Sequence, residues 1–209
     1  MYIPAHFGLE DEQATQFVES IRAGDLVTMT NSGLVATFLP LLFDPNGGPR
    51  GSLCGHVARP NDQWQRGPLD EAMVIAHGPN VYVSPSWYPS KREHGRVVPT
   101  WNYATAHVYG ELRIHDDVEW VDCLVRRLTD VHESARPEPW SVDDAPDSFV
   151  EGQLRAIVGV EVVISRVEVK VKMSQNRPEA DIDGVIRGLV EQGEQAASQT
   201  VGRFRPPRT

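Results

Sequence analysis

The chain has 209 residues, enough for one large domain or two small ones, and its 40% hydrophobic and 23% charged content is typical of a folded protein. Its formal net charge of −9 means that DNA binding would need a local basic face, because the whole molecule repels polyanions. Neither a secretion signal nor an apolar run approaching the roughly 18 residues of a membrane span is present. We therefore expect a cytoplasmic protein that does not associate with membranes.

The first half of the chain predicts one helix followed by several strands. Residues 10–21 predict the helix, since Phe17, Val18 and Ile21 fall on one stripe and Gly24 follows as a stop signal. Threonine-rich and apolar runs separated by Asn, Gly and Pro then predict extended structure. The strands expected there are residues 25–30, 34–43, 52–57, 73–76 and 81–83.

The second half begins with a long strand at residues 102–115. Asp116 and Asp117 then open the clearest helix in the chain, because the apolar residues after them keep helical spacing and two carboxylates complement the helix dipole. The remaining expected elements are a surface linker at 134–147, a helix at 149–157, an amphipathic helix at 181–197 and a flexible tail at 201–209.

The stretch of residues 160–173 changes its apolar parity. Val160, Val162 and Ile164 share one face at period two, whereas the apolar residues from 167 onward have the opposite parity. Because strand side chains alternate between faces, the buried face must shift by one residue near Ser165 and Arg166. This shift predicts a β-bulge or a sharp bend, as barrels use at their corners.

The order of these elements predicts the fold class. About seven strands and four helices are expected, and the strands follow one another like hairpins without the strand-helix-strand repeat of a parallel sheet. We therefore predict a mainly β protein, an antiparallel barrel with peripheral helices. Residues 1–200 are expected to form a single domain.

The cysteines and histidines point to no metal centre. Cys54 and Cys123 lie far apart among apolar neighbours, so we expect buried, unreactive thiols rather than a disulfide framework or zinc pair. The seven histidines lack the spacing of metal ligands. Phosphate-binding glycine loops and the G-x-S-x-G nucleophile motif are also absent from the sequence.

Residues 84–103 have the most unusual composition in the chain. Prolines stiffen this aromatic segment, and four aromatic side chains stand beside hydroxyls, an amide and Lys91. Rings that stack and cations that meet a phosphate suit a planar, phosphorylated small molecule. The alternative is a proline-rich loop whose tryptophans cover one end of the barrel.

Two further polar clusters lie at expected strand ends. Residues 55–64 place a histidine, an arginine and amides where a strand passes into a short helix, an arrangement that favours an anion. Alternatively, Asn61 or Asp62 is a helix cap. Residues 170–177 are basic and polar in an acidic protein, and their alternative is a solvated strand end.

Five short motifs in and around these clusters occur together in one known family. They are Met1-Tyr2-Ile3-Pro4-x-His6-Phe7, Gly55-His56-Val57-Ala58-Arg59, Ser84-Pro85-Ser86-Trp87-Tyr88, Pro99-Thr100-Trp101-Asn102-Tyr103 and Ser174-Gln175-Asn176-Arg177. In this order they resemble the PaiB family, described as FMN-binding negative transcriptional regulators with a split barrel like that of pyridoxamine-phosphate-oxidase-like flavoproteins. The similarity extends from Met1 to about Leu189.

The resemblance implies a homodimer with FMN sites at its interface, each drawing on both subunits. Where the family leads us to expect an aromatic residue before the late lysine, this chain has Val171, which implies weaker binding. The residues that the resemblance and the aromatic segment assign to FMN are His56, Arg59, Asn61, Gln63, Ser86, Trp87, Lys91, Thr100, Trp101, Asn102, Lys172, Ser174 and Gln175.

Three functions follow from the resemblance and the composition. The first is an FMN-binding regulator, whose acidic charge and lack of an evident helix-turn-helix favour action through a partner or metabolite over direct DNA binding. The second is an FMN-dependent oxidoreductase acting on a small molecule. The third is a flavin-free small-molecule binder that has kept the scaffold.

Overall fold

The computed structural model describes residues 1–207, which form seven strands and seven α-helices. The strands are β1 (Ala23–Thr30), β2 (Gly33–Pro40), β3 (Leu42–Asp44), β4 (Ser52–Ala58), β5 (Ala72–Val83), β6 (Thr100–His115) and β7 (Ile157–Lys172). The helices are α1 (Asp11–Glu19), α2 (Gln63–Arg66), α3 (Ser90–His94), α4 (Val118–Glu133), α5 (Asp147–Arg155), α6 (Glu179–Glu191) and α7 (Gln195–Arg203). None of the helices in this part of the chain has the length and apolar character needed to span a bilayer.

One sheet contains all seven strands, in the order β2-β1-β5-β6-β7-β4-β3. The pairings of β1 with β2 and β5, of β3 with β4, and of β4 with β7 are antiparallel. The tight turn at Asn31 and Ser32 joins β1 to β2, so that Thr30 pairs with Gly33. The expected mainly β, antiparallel architecture with helices is confirmed.

Two compact units divide the chain. The terminal unit comprises residues 1–14, 77–106 and those from 168 onward, and the central unit comprises residues 15–76 and 107–167. Strands β5, β6 and β7 contribute to both units. Buried aliphatic side chains fill each unit, with Leu26, Leu53 and Val158 in the central unit and Val83, Met173 and Leu189 in the terminal unit. The expectation of a single domain over residues 1–200 stays a prediction.

The expected change of buried face occurs within β7. Val160, Val162 and Ile164 are buried, and burial then passes to the odd-numbered residues 169, 171 and 173. Ser165 and Arg166, which lie between these two runs, are both exposed. At this point of the strand, neither the even-numbered nor the odd-numbered side chains are buried. β7 is nevertheless one continuous strand, and the division between the units falls at its residue 167.

Two strand boundaries differ from expectation. The turn residues His77-Gly78-Pro79-Asn80 were expected to divide two strands, but β5 passes through them without a break. Proline has an extended φ and disrupts a strand only where its missing N–H is needed, so this run stays extended. The expected strand over residues 34–43 instead divides at Leu41, whose backbone N–H donates to the carbonyl of Arg22 at 2.8 Å.

The C-terminal helical region also differs from expectation. A single helix over residues 181–197 is wrong, because the chain forms α6 and α7 with a break at Gly193. Gly193 has a φ of +80°, a left-handed conformation that ends a helix and that glycine adopts without a steric cost. The N–H of Glu194 then donates to the carbonyl of Leu189 at 2.9 Å, which closes the end of α6.

The expected flexible tail over residues 201–209 is partly wrong. Residues 201–203 complete α7, and Val201 is fully buried. Arg205 forms ion pairs with Asp183 at 2.7 Å and Glu179 at 2.6 Å, so the chain after α7 is held against α6. Residues 208 and 209 lie outside the described residues.

The two cysteines have different environments, although both were expected to be buried. Cys54 is buried, and burial raises the pKa of its thiol to about 11. Cys123 is exposed, because it falls on the outward side of α4 while Val121 and Leu124 face the core. The expectation was therefore right for Cys54 and wrong for Cys123, and both thiols are free.

We expect only one thiol of the folded protein to react with Ellman's reagent near pH 8. Thiolate is the reactive form, and a buried thiol with a raised pKa supplies little of it. Cys123→Ser should remove the reaction in the native state, and both thiols of the natural chain should react in denaturant. Rapid reaction of folded Cys123→Ser would contradict the burial of Cys54.

Candidate functional site

Lys172 lies at the end of β7 and meets the start of the neighbouring strand β6. Its Nζ donates to Thr100 Oγ1 at 2.5 Å and to the carbonyl oxygen of Trp101 at 2.9 Å. Burial lowers the pKa of Lys172, and the nearby cations Lys170 and Arg177 lower it further. An ammonium group has three N–H bonds, so one donor of Lys172 is left for a ligand.

Trp101 adds an aromatic surface beside this lysine. Its side chain is 49% exposed, and its ring centroid lies 6.3 Å from that of Tyr82, which is 46% exposed. The two rings meet edge to face at 61°, so each keeps a face available for a planar group. Tyr82 was not among the expected site residues, although its place between buried Val81 and Val83 marks it as outward-facing.

Asn102 and Ser174 form a buried pair between the same two chain segments. Asn102 Nδ2 donates to Ser174 Oγ at 3.0 Å, and Ser174 Oγ donates to Asn102 Oδ1 at 3.2 Å. Ser174 has a φ of +65°, a left-handed conformation that no other non-glycine residue of the described chain adopts. Such conformations persist where surrounding contacts support them, and they concentrate at functional sites. The pair therefore positions the chain after Lys172.

We expect Asn102→Ala to lower the free energy of unfolding by about 1–3 kcal/mol, because it leaves the buried Ser174 hydroxyl without either partner. Chemical denaturation measures this change. Asn80→Ala is the matched control, since Asn80 is exposed in the same unit and its loss should change stability by less than about 0.5 kcal/mol. Equal effects of the two substitutions would contradict a supporting role for Asn102.

Gln175 uses both ends of its amide within the chain. Its Oε1 accepts from the backbone N–H of Met173, and its Nε2 donates to the carbonyl of Val171, each at 2.6 Å. These bonds close the turn that follows β7. Gln175 therefore shapes the backbone beside Lys172.

Ser86, Trp87 and Lys91 form a second group in the terminal unit. Lys91 Nζ donates to Ser86 Oγ at 3.2 Å, and the N–H of Ser86 donates to Ser84 Oγ at 3.2 Å, which caps the short turn at Pro85–Trp87. Trp87 lies against α6. Within residues 1–207, no hydrogen bond links this group to Lys172 or Thr100.

His56 lies in the central unit, beside an apolar cavity. The histidine is half-buried, and burial lowers the pKa of its imidazole, which favours the neutral form. Burial opposes the charged form because it removes the imidazolium from water. The cavity has a volume of about 320 Å³, and its other lining residues are Pro40, Val125, Leu128, Thr129, His132, Glu133 and Trp140.

Arg59, in the same turn, is held by an ion pair. Its guanidinium donates to both oxygens of Asp116, at 2.7 and 3.2 Å, and to the carbonyls of Arg155 at 2.6 Å and Ile157 at 3.1 Å. The Arg59 guanidinium lowers the pKa of the Asp116 carboxyl. Arg59 thus ties β4 to the segment between α5 and β7.

Asn61 and Gln63 also direct their polar atoms inward. Asn61 Oδ1 accepts from the N–H of Gln63 at 3.0 Å, and its Nδ2 donates to Thr37 Oγ1 at 2.9 Å. Gln63 is fully buried, and its Nε2 donates to the carbonyl of Leu26 and to Thr28 Oγ1, each at 3.0 Å. Asp62 occupies the N-cap position of α2 without a side-chain capping bond, and Asn61, which accepts from the N–H two residues on, forms an Asx turn before the helix.

The group around Lys172 fits the chemistry of FMN. FMN has a planar apolar ring system, hydrogen-bond acceptors and a phosphate, which match the exposed Trp101 and Tyr82 rings and the free donor of Lys172. In the turn of residues 55–64, the imidazole of His56 makes no hydrogen bond with the part of the chain that the structure describes, whereas its backbone pairs with β7. Arg59 donates four hydrogen bonds within the protein, Asn61 donates one, and the Gln63 amide donates to the backbone and to Thr28. All thirteen cofactor assignments stay predictions.

Comparison with known proteins gives the family. The model of a family described as "Putative FMN-binding domain" matches residues 1–166. The chain is 33% identical over 201 residues to protease synthase and sporulation protein PAI 2 of Bacillus subtilis, across 95% of this chain and 94% of that protein. An uncharacterized protein of Emericella nidulans is 33% identical over 233 residues, across 94% of this chain and 93% of that protein.

Solved structures give the fold independently. A conserved hypothetical protein of Mycobacterium tuberculosis matches with a TM-score of 0.57 and 13% identity, across 86% of this chain and 95% of that chain. A flavocytochrome of Azotobacter vinelandii matches with a TM-score of 0.53 and 10% identity, across 78% and 67%. These likenesses bear out the split-barrel fold, and the family match bears out FMN as the cofactor. The chain therefore belongs to the PaiB family of FMN-binding split-barrel proteins.

Proposed function

We propose that this protein is a flavin-dependent negative regulator of transcription that acts through a partner or a metabolite. The support is its 33% identity to PAI 2, whose name refers to protease synthase and sporulation, over nearly the full length of both chains. A net charge of −9 opposes direct contact with the phosphate backbone of an operator. Regulation through another molecule avoids this electrostatic cost.

The observation that carries the flavin half of the proposal is the arrangement around Lys172. Thr100 Oγ1 and the Trp101 carbonyl hold its ammonium group, leaving one N–H bond for a flavin acceptor. Trp101 and Tyr82 supply the apolar rings on which a planar group packs. Bound FMN would supply one- or two-electron redox chemistry at this place. Asn102 and Ser174 keep the surrounding backbone in position.

A homodimer is part of the proposal. Leu34 and Phe38 on β2 are 70% and 69% exposed, and Leu34 pairs with exposed Met29 on β1. β2 is an edge strand of the sheet, so one of its backbone edges has no neighbouring strand. Contiguous exposed apolar side chains of this kind mark interaction surfaces. A second copy of the chain would cover these side chains.

Transcript profiling of a deletion strain in the source organism tests regulation. We expect a defined set of transcripts to rise on deletion, to fall again when the natural gene is restored, and to stay raised when Lys172→Met is restored at equal protein level. Analytical ultracentrifugation of the purified flavoprotein should give twice the 23.3 kDa chain mass. Unchanged transcripts, together with flavin turnover driven by NAD(P)H on a small molecule, would instead support the oxidoreductase.

A further inference from the structure

A cavity of about 330 Å³ lies in the terminal unit, where the segment of residues 85–92 faces α6. This cavity belongs to the terminal unit alone, and it shares no lining residue with the group around Lys172. Its volume suits a small organic molecule. The lining residues are Ser86, Trp87, Tyr88, Pro89, Arg92, Gly184, Arg187, Gly188 and Glu191.

Close packing of Trp87 on α6 builds one wall of this cavity. A Cβ atom at Gly184 would lie 1.9 Å from the Trp87 carbonyl oxygen, and one at Gly188 would lie 2.4 Å from the Trp87 ring. Only residues without a side chain allow this approach. The indole is therefore held in one place, and its partly exposed side offers a fixed flat surface at the cavity.

Two arginines bring unbalanced positive charge to the cavity. Arg92 and Arg187 are exposed, and neither forms an ion pair within residues 1–207. The acidic residues at the start of α6 are already engaged, since Glu179 and Asp183 pair with Arg205. Glu191 is the one carboxylate that lines the cavity, so the lining carries a net positive charge in a protein of net charge −9.

Polar groups beside the arginines add hydrogen-bonding capacity. Tyr88 is almost fully buried in the cavity wall, and Arg177, which is not a lining residue, lies over its ring at 4.9 Å. Ser86 accepts from Lys91, which leaves its own hydroxyl hydrogen free to donate.

We propose that this cavity binds a small organic oxyanion, with a carboxylate or phosphate between Arg92 and Arg187 and a planar apolar part against Trp87. Guanidinium groups pair with both oxyanions through two parallel hydrogen bonds, and an indole face suits a flat ring. The Glu191 carboxylate repels anions, and it therefore limits the negative charge that a bound ligand can carry. The inference is independent of the proposed regulation, and it assigns Ser86 and Trp87, which the resemblance gave to FMN, to a second ligand instead.

Isothermal titration of the full chain, saturated with FMN, tests the proposal with phenyl phosphate and benzoate as probes. We expect saturable binding of at least one probe, and the preferred probe identifies the oxyanion. Arg92→Gln and Arg187→Gln should each weaken binding about tenfold or more, as the loss of a charged hydrogen bond does. Glu191→Gln should strengthen binding, because it removes a repelling carboxylate.

Arg96→Gln is the matched control, since Arg96 is an exposed arginine of the same unit outside the cavity, and it should leave probe binding unchanged. The FMN dissociation constant should also be the same in all four variants. Absence of saturable binding by both probes would overturn the proposal, as would equal losses in Arg187→Gln and Arg96→Gln. Competition between FMN and the bound probe would overturn it too, because the cavity would then belong to the flavin site.

Discussion

Replacing Lys172 by methionine is expected to raise the dissociation constant of FMN by about 10- to 150-fold. This is the change expected when one hydrogen bond from a charged group is lost. Methionine keeps the length and apolar stem of lysine but removes the ammonium group that Thr100 and the Trp101 carbonyl hold in place. Quenching of FMN fluorescence on titration with protein measures the change. Thermal unfolding should be nearly unaffected, because Lys172 lies at the end of β7 and is only partly buried.

The pH dependence of binding gives Lys172 a separate signature. Burial lowers the pKa of this ammonium group, so its charge is lost at a lower pH than that of a free lysine. FMN affinity should therefore fall as pH rises through this lowered pKa, and the fall should be absent in Lys172→Met. Lys170→Met is the matched control, since Lys170 donates to the carbonyl of Tyr2 instead. Equal loss of affinity in both variants would refute the assignment to Lys172.

Gly184→Ala should lower the free energy of unfolding by about 3 kcal/mol, the upper end of the usual cost of overpacking. Its Cβ would lie 1.9 Å from the carbonyl oxygen of Trp87, a backbone atom that cannot move aside as a flexible side chain does. For a chain of this length the loss corresponds to a fall in melting temperature of about 10 °C. Scanning calorimetry and denaturant titration measure both quantities.

Gly202→Ala is the control with the opposite expected sign. Gly202 lies in α7 without a positive φ, and a Cβ there meets no atom within 4 Å. Alanine should therefore stabilise the helix by about 0.5–1 kcal/mol, since glycine loses more backbone freedom on folding. A destabilisation of similar size at both positions would show that the contact with Trp87 is not the cause.

Strands could be predicted from the sequence wherever one face of the strand is buried, because apolar residues then alternate with polar ones. Along β7 the apolar residues switch from even to odd positions, and the structure places this switch of buried face at exposed Ser165 and Arg166. The start of α4 could also be predicted from the sequence, because Asp117 is a helix-capping residue. In the structure its carboxylate accepts from the N–H of Glu119 at 3.0 Å. Both features depend on residues close together in sequence.

Predictions failed more often where the outcome depended on contacts with residues that are distant in sequence. The turn residues around Pro79 remain in β5, and Cys123 is exposed although its neighbours along the chain are apolar. At residues 55–64, sequence pattern could not distinguish donors for a ligand from donors for the protein. Arg59 is paired with Asp116, fifty-seven positions away, and no local signal marks that partner.

The sequence by itself determined the family, the flavin and the mainly β architecture, because these depend on motifs and on the period of apolar residues along the chain. Only the tertiary structure decided which polar side chains have donors to spare. Lys172 meets Thr100 across seventy-two positions and retains one N–H bond, whereas Gln63 spends its amide on the backbone of β1. Hydrogen bonds between distant segments depend on how the strands pair, and this pairing cannot be predicted from the local sequence around each residue.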